Sequence, residues 1–386
     1  MKPADFTGLA PGTLVTSSQG YLCFVPKPLP PTLSLGMSTI QILAQAERAL
    51  GKLAGAGEML PNPHLLIGPF VRREAVLSSR IEGTVASEED LVLFKVDPAV
   101  EDRRPDTREV RNYVTALEYG LKRLGELPVS LKLLKELHSR LLKGVRGADK
   151  SPGEFRDRQN FIGTPGMSVR DARFVPPPVE EMHGALEAFE QFLRASSERP
   201  FLIDLALLHY QFEAIHPFRD GNGRVGRLLI PLLLCERNIL TKPLLYLSAY
   251  LERHRAQYMD LLLRVSQKGD WERWIEFFLN GVAEQAIDGV ERATKLMILW
   301  QDYRKRLQTA RMSILAQNLV DQLFHQPAMS VGLAQQVLKV SFASAQNNIM
   351  RLVRLGILRE MTGRKRDRIF IAPEILQLTG ATNLAE

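Results

Sequence analysis

The chain has 386 residues, 45 % hydrophobic and 24 % charged, with a formal charge of +7, which is ordinary for a globular protein of two or three domains. Its two cysteines, Cys23 and Cys235, form no CxxC pair and have no His or Cys neighbours at ligand spacing, which excludes a zinc site or a disulfide framework and fits a reducing, cytoplasmic setting. Met1 to Gly20 has no basic stretch followed by an apolar run, and the longest apolar stretch, Leu228 to Cys235, is far short of the ~20 residues of a membrane helix, so neither a signal peptide nor a membrane partner is expected.

In chain order, Met1 to Pro31 reads as an irregular arm, because the run Pro26 to Pro31 removes backbone donors and favours extended chain. Helical spacing of apolar residues predicts helices over Ser38–Ala54, over Pro69–Glu82 with Gly83 as the breaker, over Thr107–Leu124, and over Ser130–Leu142 with Ser130 as N-cap. Ser151 to Pro178 breaks that pattern; Asn160–Gly163 and Ala172–Val175 predict a β-hairpin, stopped by Pro176-Pro177-Pro178. Val179–Leu193 is helical again, Phe201–Ile215 is apolar almost all round and therefore a buried helix, and Gly226–Arg237 and Tyr258–Ala286 supply further helices. Beyond residue 300 two short helices, Ser330–Leu338 and Ser341–Leu355, precede paired strands at Ile357–Glu360 and Arg368–Ala372, the layout of a winged helix-turn-helix. The fold class is therefore mainly α, with expected domains 1–115, 116–300 and 301–386.

The chemistry concentrates in His216-Pro217-Phe218-Arg219-Asp220-Gly221-Asn222-Gly223-Arg224-Val225-Gly226-Arg227. His216 closes a buried helix that Pro217 ends, so its imidazole is held by packed structure while facing the next loop. Gly221, Asn222 and Gly223 tolerate positive φ, so successive N–H groups can point into one concavity. The helix that follows adds its positive dipole end, and Arg224 and Arg227, three apart, add two cations on roughly one face. Asp220 is a lone carboxylate beside this cradle, suited to Mg²⁺. The sum is a polyphosphate site with a metal and a histidine base. Gly221-x-Gly223-x-x-Gly226 formally matches the dinucleotide fingerprint, but a helix precedes it where a strand is needed, and GxxxxGK[ST] is absent. A plain glycine-rich turn with a satisfied histidine would explain His216 alone, but not His, Asp, Asn, two Gly and two Arg within twelve residues.

This segment resembles the HPFx[DE]GNGRxxR motif of the Fic (Fido) family, with every defining position matched, and the resemblance extends from about residue 35 to 285. It implies a Fic-type helical domain with a β-hairpin flap, and AMP transfer from ATP to a Ser, Thr or Tyr hydroxyl of a protein. By resemblance, His216 is the general base, Asp220 holds Mg²⁺, Asn222 and Gly223 grip the α-phosphate region, Arg224 and Arg227 hold the β- and γ-phosphates, and Gly221 is counted with these as ATP-binding. Phe218 packs the loop inward, and the hairpin from Ile162 to Phe174 is similar to the flap that aligns a target chain by strand addition. Upstream, Ser78-Ser79-Arg80-Ile81-Glu82-Gly83 resembles the [ST]xxxE[GN] inhibitory motif of part of the family, which implies that Glu82 sits against Arg227 in place of the γ-phosphate. The alternative for that short motif is a solvated helix end with a glycine cap.

In the tail, Arg351 to Phe370 carries seven Arg or Lys against Glu360 and Asp367, so the wing suits phosphates. Ser344, Gln346, Asn347 and Asn348 on the second helix are candidates to read base edges. A winged helix also serves protein contact or homodimer formation, since fold does not fix function. Three functions therefore compete: an adenylyltransferase with ATP and a protein target as partners, a DNA-binding regulator whose Fic domain is a sensor, and a hydrolase that removes AMP.

Overall fold

Helices dominate. A computed structural model describes residues 1–58, 63–94, 96–97, 106–163, 166–364 and 366–379. In chain order their elements are β1 (Gly12–Thr16), β2 (Leu22–Pro26), α1 (Met37–Glu58), α2 (Pro63–Ile81), α3 (Glu88–Phe94), α4 (Asp106–Arg123), α5 (Leu131–Leu141), α6 (Val179–Arg194), α7 (Phe201–Ile215), α8 (Asn222–Glu236), α9 (Ser248–Arg253), α10 (Arg255–Lys268), α11 (Trp271–Thr309), α12 (Ile314–His325), β3 (Ala328–Ser330), α13 (Val331–Leu338), α14 (Phe342–Arg354), β4 (Arg359–Glu360), β5 (Ile369–Ile371) and α15 (Pro373–Thr379). The chain divides into two units, one of Met1–Gly51, Thr115–Ile239 and Leu245–Ala286, the other of Lys52–Val114, Leu240–Leu244 and Ile287–Glu386. No described helix is long and apolar enough to cross a membrane.

The first unit is built around α7, on which every residue from Leu202 to Ile215 is buried. A helix so enclosed must satisfy its polar side chains internally. Gln211 Nε2 donates to the Lys27 carbonyl at 3.0 Å, Tyr210 and Ser266 share a hydroxyl hydrogen bond of 2.9 Å, and His209 lies 2.8 Å from Tyr258 Oη and 3.2 Å from the Gly226 carbonyl. Helix α8 crosses α7 closely because Gly226 has no side chain; a Cβ there would collide with Glu213 Oε1 and the Phe212 ring. The helical stretch expected over Tyr258–Ala286 falls on α10 and α11, which part where Gly269 takes φ +66 and caps α10. Two β features differ from expectation. Gly12–Pro26 is an antiparallel hairpin rather than an irregular arm, its period-2 signal being masked by the proline run that follows. The hairpin expected at Asn160–Val175 is reduced, among the described residues, to a single bridge between Ile162 and Phe174, with a 3₁₀ turn at Val169–Asp171. The two corrections are linked. Phe24 on β2 donates its N–H to the Val175 carbonyl, and Tyr21 and Cys23 pack on Ala172 and Val175, so the first hairpin backs the second segment.

In the second unit α12 packs along α2. Arg72 of α2 donates to the His325 carbonyl at the end of α12, and Gln326 Nε2 donates to the Val92 carbonyl at 2.6 Å. Val92, Ala328, Ile369, Ile371 and Leu376 form one apolar cluster. The tail strands make an antiparallel sheet in the order β3-β5-β4, and Ser330 and Ser341 cap α13 and α14 by accepting from Leu333 and Ser344 N–H. One expected base reader is reassigned. Asn348 is buried, donates to the Ser344 carbonyl at 2.9 Å and lies 3.4 Å from Ser313 Oγ, because it falls on the apolar face of α14; Asn347 is exposed. Lys365 lies outside the described residues.

Candidate active site

Helix α7 ends at His216, which adopts φ 49, ψ 59 and donates its N–H to the Phe212 carbonyl. A left-handed conformation is costly for any residue with a Cβ and persists only where its surroundings over-determine it. Here it turns the imidazole back so that Nδ1 lies 3.3 Å from the Glu213 carbonyl. A carbonyl only accepts, so Nδ1 carries the hydrogen and the ring lone pair is on Nε2. The Glu213 carboxylate lies 3.9 Å from Nδ1.

The backbone after His216 is gripped from outside. The His216 carbonyl accepts from Arg156 Nε at 3.1 Å and Asn160 Nδ2 at 3.2 Å. The Pro217 carbonyl accepts the Arg156 N–H at 2.8 Å, and the Phe218 carbonyl accepts from Asn160 Nδ2 and Asn222 Nδ2, both at 2.8 Å. His138 takes the Gly153 N–H on Nδ1, which leaves Nε2–H to donate to the Asp220 carbonyl at 3.0 Å. Its ring stacks on Phe218 at 3.9 Å between centroids, so Phe218 packs inward as expected. Burial, opposed by that hydrogen bond, lowers the His138 pKa to about 4 and keeps the ring neutral. Burial likewise lowers that of His209 to about 3, with Arg227 adding to the shift, and brings the Arg156 guanidinium down to about 10. Arg156, Asn160 and His138 were not expected from the sequence; an Arg and an Asn in a Gly- and Pro-rich stretch look like loop surface, and no spacing rule marks them.

Beyond Phe218 the loop turns into a cradle. Gly221 takes φ +79 as the N-cap of α8 and has no side chain to cover the first-turn amides of Asn222, Gly223 and Arg224. The Asn222 side chain is committed to the loop, accepting from Phe218 N–H and donating to its carbonyl, so it is the backbone N–H of Asn222 that faces outward with the helix end. Arg224 and Arg227 are buried, 1 % and 2 % exposed, and Arg224 Nη2 lies 3.7 Å from Asp220 Oδ1. The Asp220 carboxylate is 37 % exposed and accepts the Gly221 N–H at 2.6 Å. Gly147, at φ +87, passes beside it, and a Cβ there would sit 2.8 Å from Asp220 Oδ2. Among the described residues no group of three or more His, Cys, Asp or Glu could hold a metal by itself; one open carboxylate beside an anion cradle suits Mg²⁺, which takes most of its remaining ligands from phosphates and water. His216, Asp220, Gly221, Asn222, Gly223, Arg224 and Arg227 therefore share one site in the first unit. Ser78 and Glu82 belong to the second unit. Ser78 is buried, α2 ends at Ile81, and Glu82 follows in a turn with its N–H on the Ser79 carbonyl.

Residues 40–122 match the model of the Fic/DOC family N-terminal region and residues 128–234 that of the Fic/DOC family. The chain is 32 % identical over 165 residues to the protein adenylyltransferase Fic of Culex quinquefasciatus, a match covering 42 % of this chain and 29 % of that one. It is 31 % identical to the corresponding Aedes aegypti protein over the same shares. The match thus spans less than a third of the length of either relative. Among solved structures, a Fic family protein from Desulfovibrio desulfuricans G20 shares the fold with a TM-score of 0.54 at 18 % identity, over 89 % of this chain and 98 % of that one. Fic-1 from C. elegans does so with a TM-score of 0.50 at 20 % identity, over 67 % and 74 %. Residues 40–122 and 128–234 thus match Fic/DOC family models, and the fold is shared with solved Fic proteins.

Proposed function

We propose that the protein transfers AMP from ATP onto a Ser, Thr or Tyr hydroxyl of another protein. The observation that carries this reading is the 3.3 Å contact between His216 Nδ1 and the Glu213 carbonyl, which assigns the hydrogen to Nδ1 and leaves a basic lone pair on Nε2. The target hydroxyl forms a bond to the α-phosphorus, the bond from that phosphorus to the pyrophosphate oxygen breaks, and the hydroxyl proton goes to His216 Nε2. A hydroxyl is a poor nucleophile at neutral pH, and a positioned base contributes about 10²–10⁴ in rate. The rest is positioning and charge neutralisation: the amides of Asn222 and Gly223 at the α-phosphate, Arg224 and Arg227 on the β- and γ-phosphates, and Asp220 as the protein ligand of Mg²⁺, which when bound offsets phosphate charge.

On this reading Glu82 is a brake. A carboxylate paired with Arg227 competes with the γ-phosphate for one guanidinium, and Ser78 supports it from the turn before. The test is incubation with α-labelled ATP, comparing wild type with Glu82→Gly. We expect several-fold or greater gain in protein labelling and self-modification, abolished by adding Arg227→Ala. Equal labelling by wild type and Glu82→Gly across ATP concentrations would remove the brake, and label released from a pre-modified target would favour AMP removal as the main chemistry.

Duplex DNA is a further proposed partner, through the tail. The element order from α12 to β5 supports a winged helix-turn-helix reading of the tail, as does the exposure there of Arg351, Arg354, Arg364 and Arg366.

A further inference from the structure

The His216 carbonyl, where the base loop begins, is held by one short piece of chain, the entry to the segment bridged by Ile162 and Phe174. Asn160 lies two residues before Ile162, and its single amide group reaches both the His216 and Phe218 carbonyls. Arg156, four residues earlier, spans further. Its N–H and Nε hold the Pro217 and His216 carbonyls, while Nη2 donates to the Pro177 carbonyl, where the same segment leaves. One guanidinium thus joins the base loop to the exit of the segment, and one amide joins it to the entrance.

Stability alone does not account for this arrangement. Arg156 is 1 % exposed, and a buried guanidinium costs desolvation that an apolar side chain of similar volume avoids. It is matched instead to a strained residue. The left-handed backbone of His216 needs fixed partners on its carbonyl side, and these two residues supply them. Resting on the adenylyl-transfer reading, we infer that Arg156 and Asn160 are positioning residues, which set the height of the His216 imidazole relative to the Ile162–Phe174 segment so that a target chain laid there and the base share one frame. Neither residue touches ATP on this account; both act through His216.

The test uses the full chain and Asn160→Asp, which keeps the side-chain volume and removes both N–H donors. Three quantities are read: the labelling rate with α-labelled ATP, the affinity for ATP by calorimetry, and the melting midpoint. We expect the rate to fall roughly 10–100-fold, as displacement of a reacting group by about an ångström does, with ATP affinity unchanged. A purely structural role would lower rate, affinity and midpoint together, and that result, like a wild-type rate, overturns the inference. If Asn160→Asp does not fold, Arg156→Lys, which keeps the charge and loses the fork, is read by the same criteria. His216→Ala runs alongside. No labelling by wild type removes the transfer reading, normal labelling by His216→Ala removes the base through which both residues would act, and a dead His216→Ala beside a normal Asn160→Asp removes only the positioning role.

Discussion

The two basic regions of this chain hold their cations in opposite ways. Around His216 the guanidiniums of Arg156, Arg224 and Arg227 are buried, and the carbonyls of His216, Pro217, Phe218 and Asp220 each accept from a named donor. In the tail, Arg351, Arg354 and Arg366 stand in solvent, and the turn after β4 is satisfied within itself, Glu360 Oε1 taking the Thr362 and Gly363 N–H groups. Chemistry at a single phosphorus needs atoms fixed to a fraction of an ångström. Attraction to a phosphate backbone needs only charge within a screening length of about 10 Å. Buried and clamped cations suit the first task, exposed ones the second.

The contrast can be broken at either end. The largest effect is expected from His216→Ala, which should leave ATP binding in place, because the proposed phosphate contacts lie on α8, and reduce AMP transfer by at least ~10²; near-normal transfer would exclude the base. Acidification should come next and strike the clamped region. His138 and His209 have pKa values lowered to about 4 and about 3 from 6.5, so the unfolded chain binds protons first as pH falls. The stability these rings contribute is complete above about pH 6.5 and declines below it, by roughly 2 kcal/mol per histidine at pH 5. Denaturant titrations at pH 7 and pH 5 measure this, and equal midpoints would mean that neither ring is held neutral. The smallest effect is expected in the tail. Arg366→Ala should weaken duplex DNA binding a few-fold for every sequence and reduce the salt slope by about one. A tail that binds no DNA at low salt would leave the exposed cations to protein contact and the transferase untouched.

The helical frame was readable because apolar spacing is local: Ser130 caps α5 as expected, and α7 is as enclosed as its composition implies. The backbone of the proposed phosphate cradle was readable for the same reason, since Asp220 to Arg227 is one contiguous loop and helix start. What escaped was non-local. Arg156 reaches 60 residues along the chain to His216 and His138 reaches 82 residues to Asp220, and nothing near them in sequence announces either reach. The hairpin of β1 and β2 was hidden by the prolines beside it. Asn348 was misjudged because polarity on a short helix does not say which face is covered until α12 is packed against it.

The left-handed turn at His216 has one more implication. Of all residues, glycine would sit there with least strain, so the backbone at this position is at odds with the side chain that occupies it. The fold accepts a less comfortable residue at the point where an imidazole is needed, and stability and activity therefore pull apart at position 216.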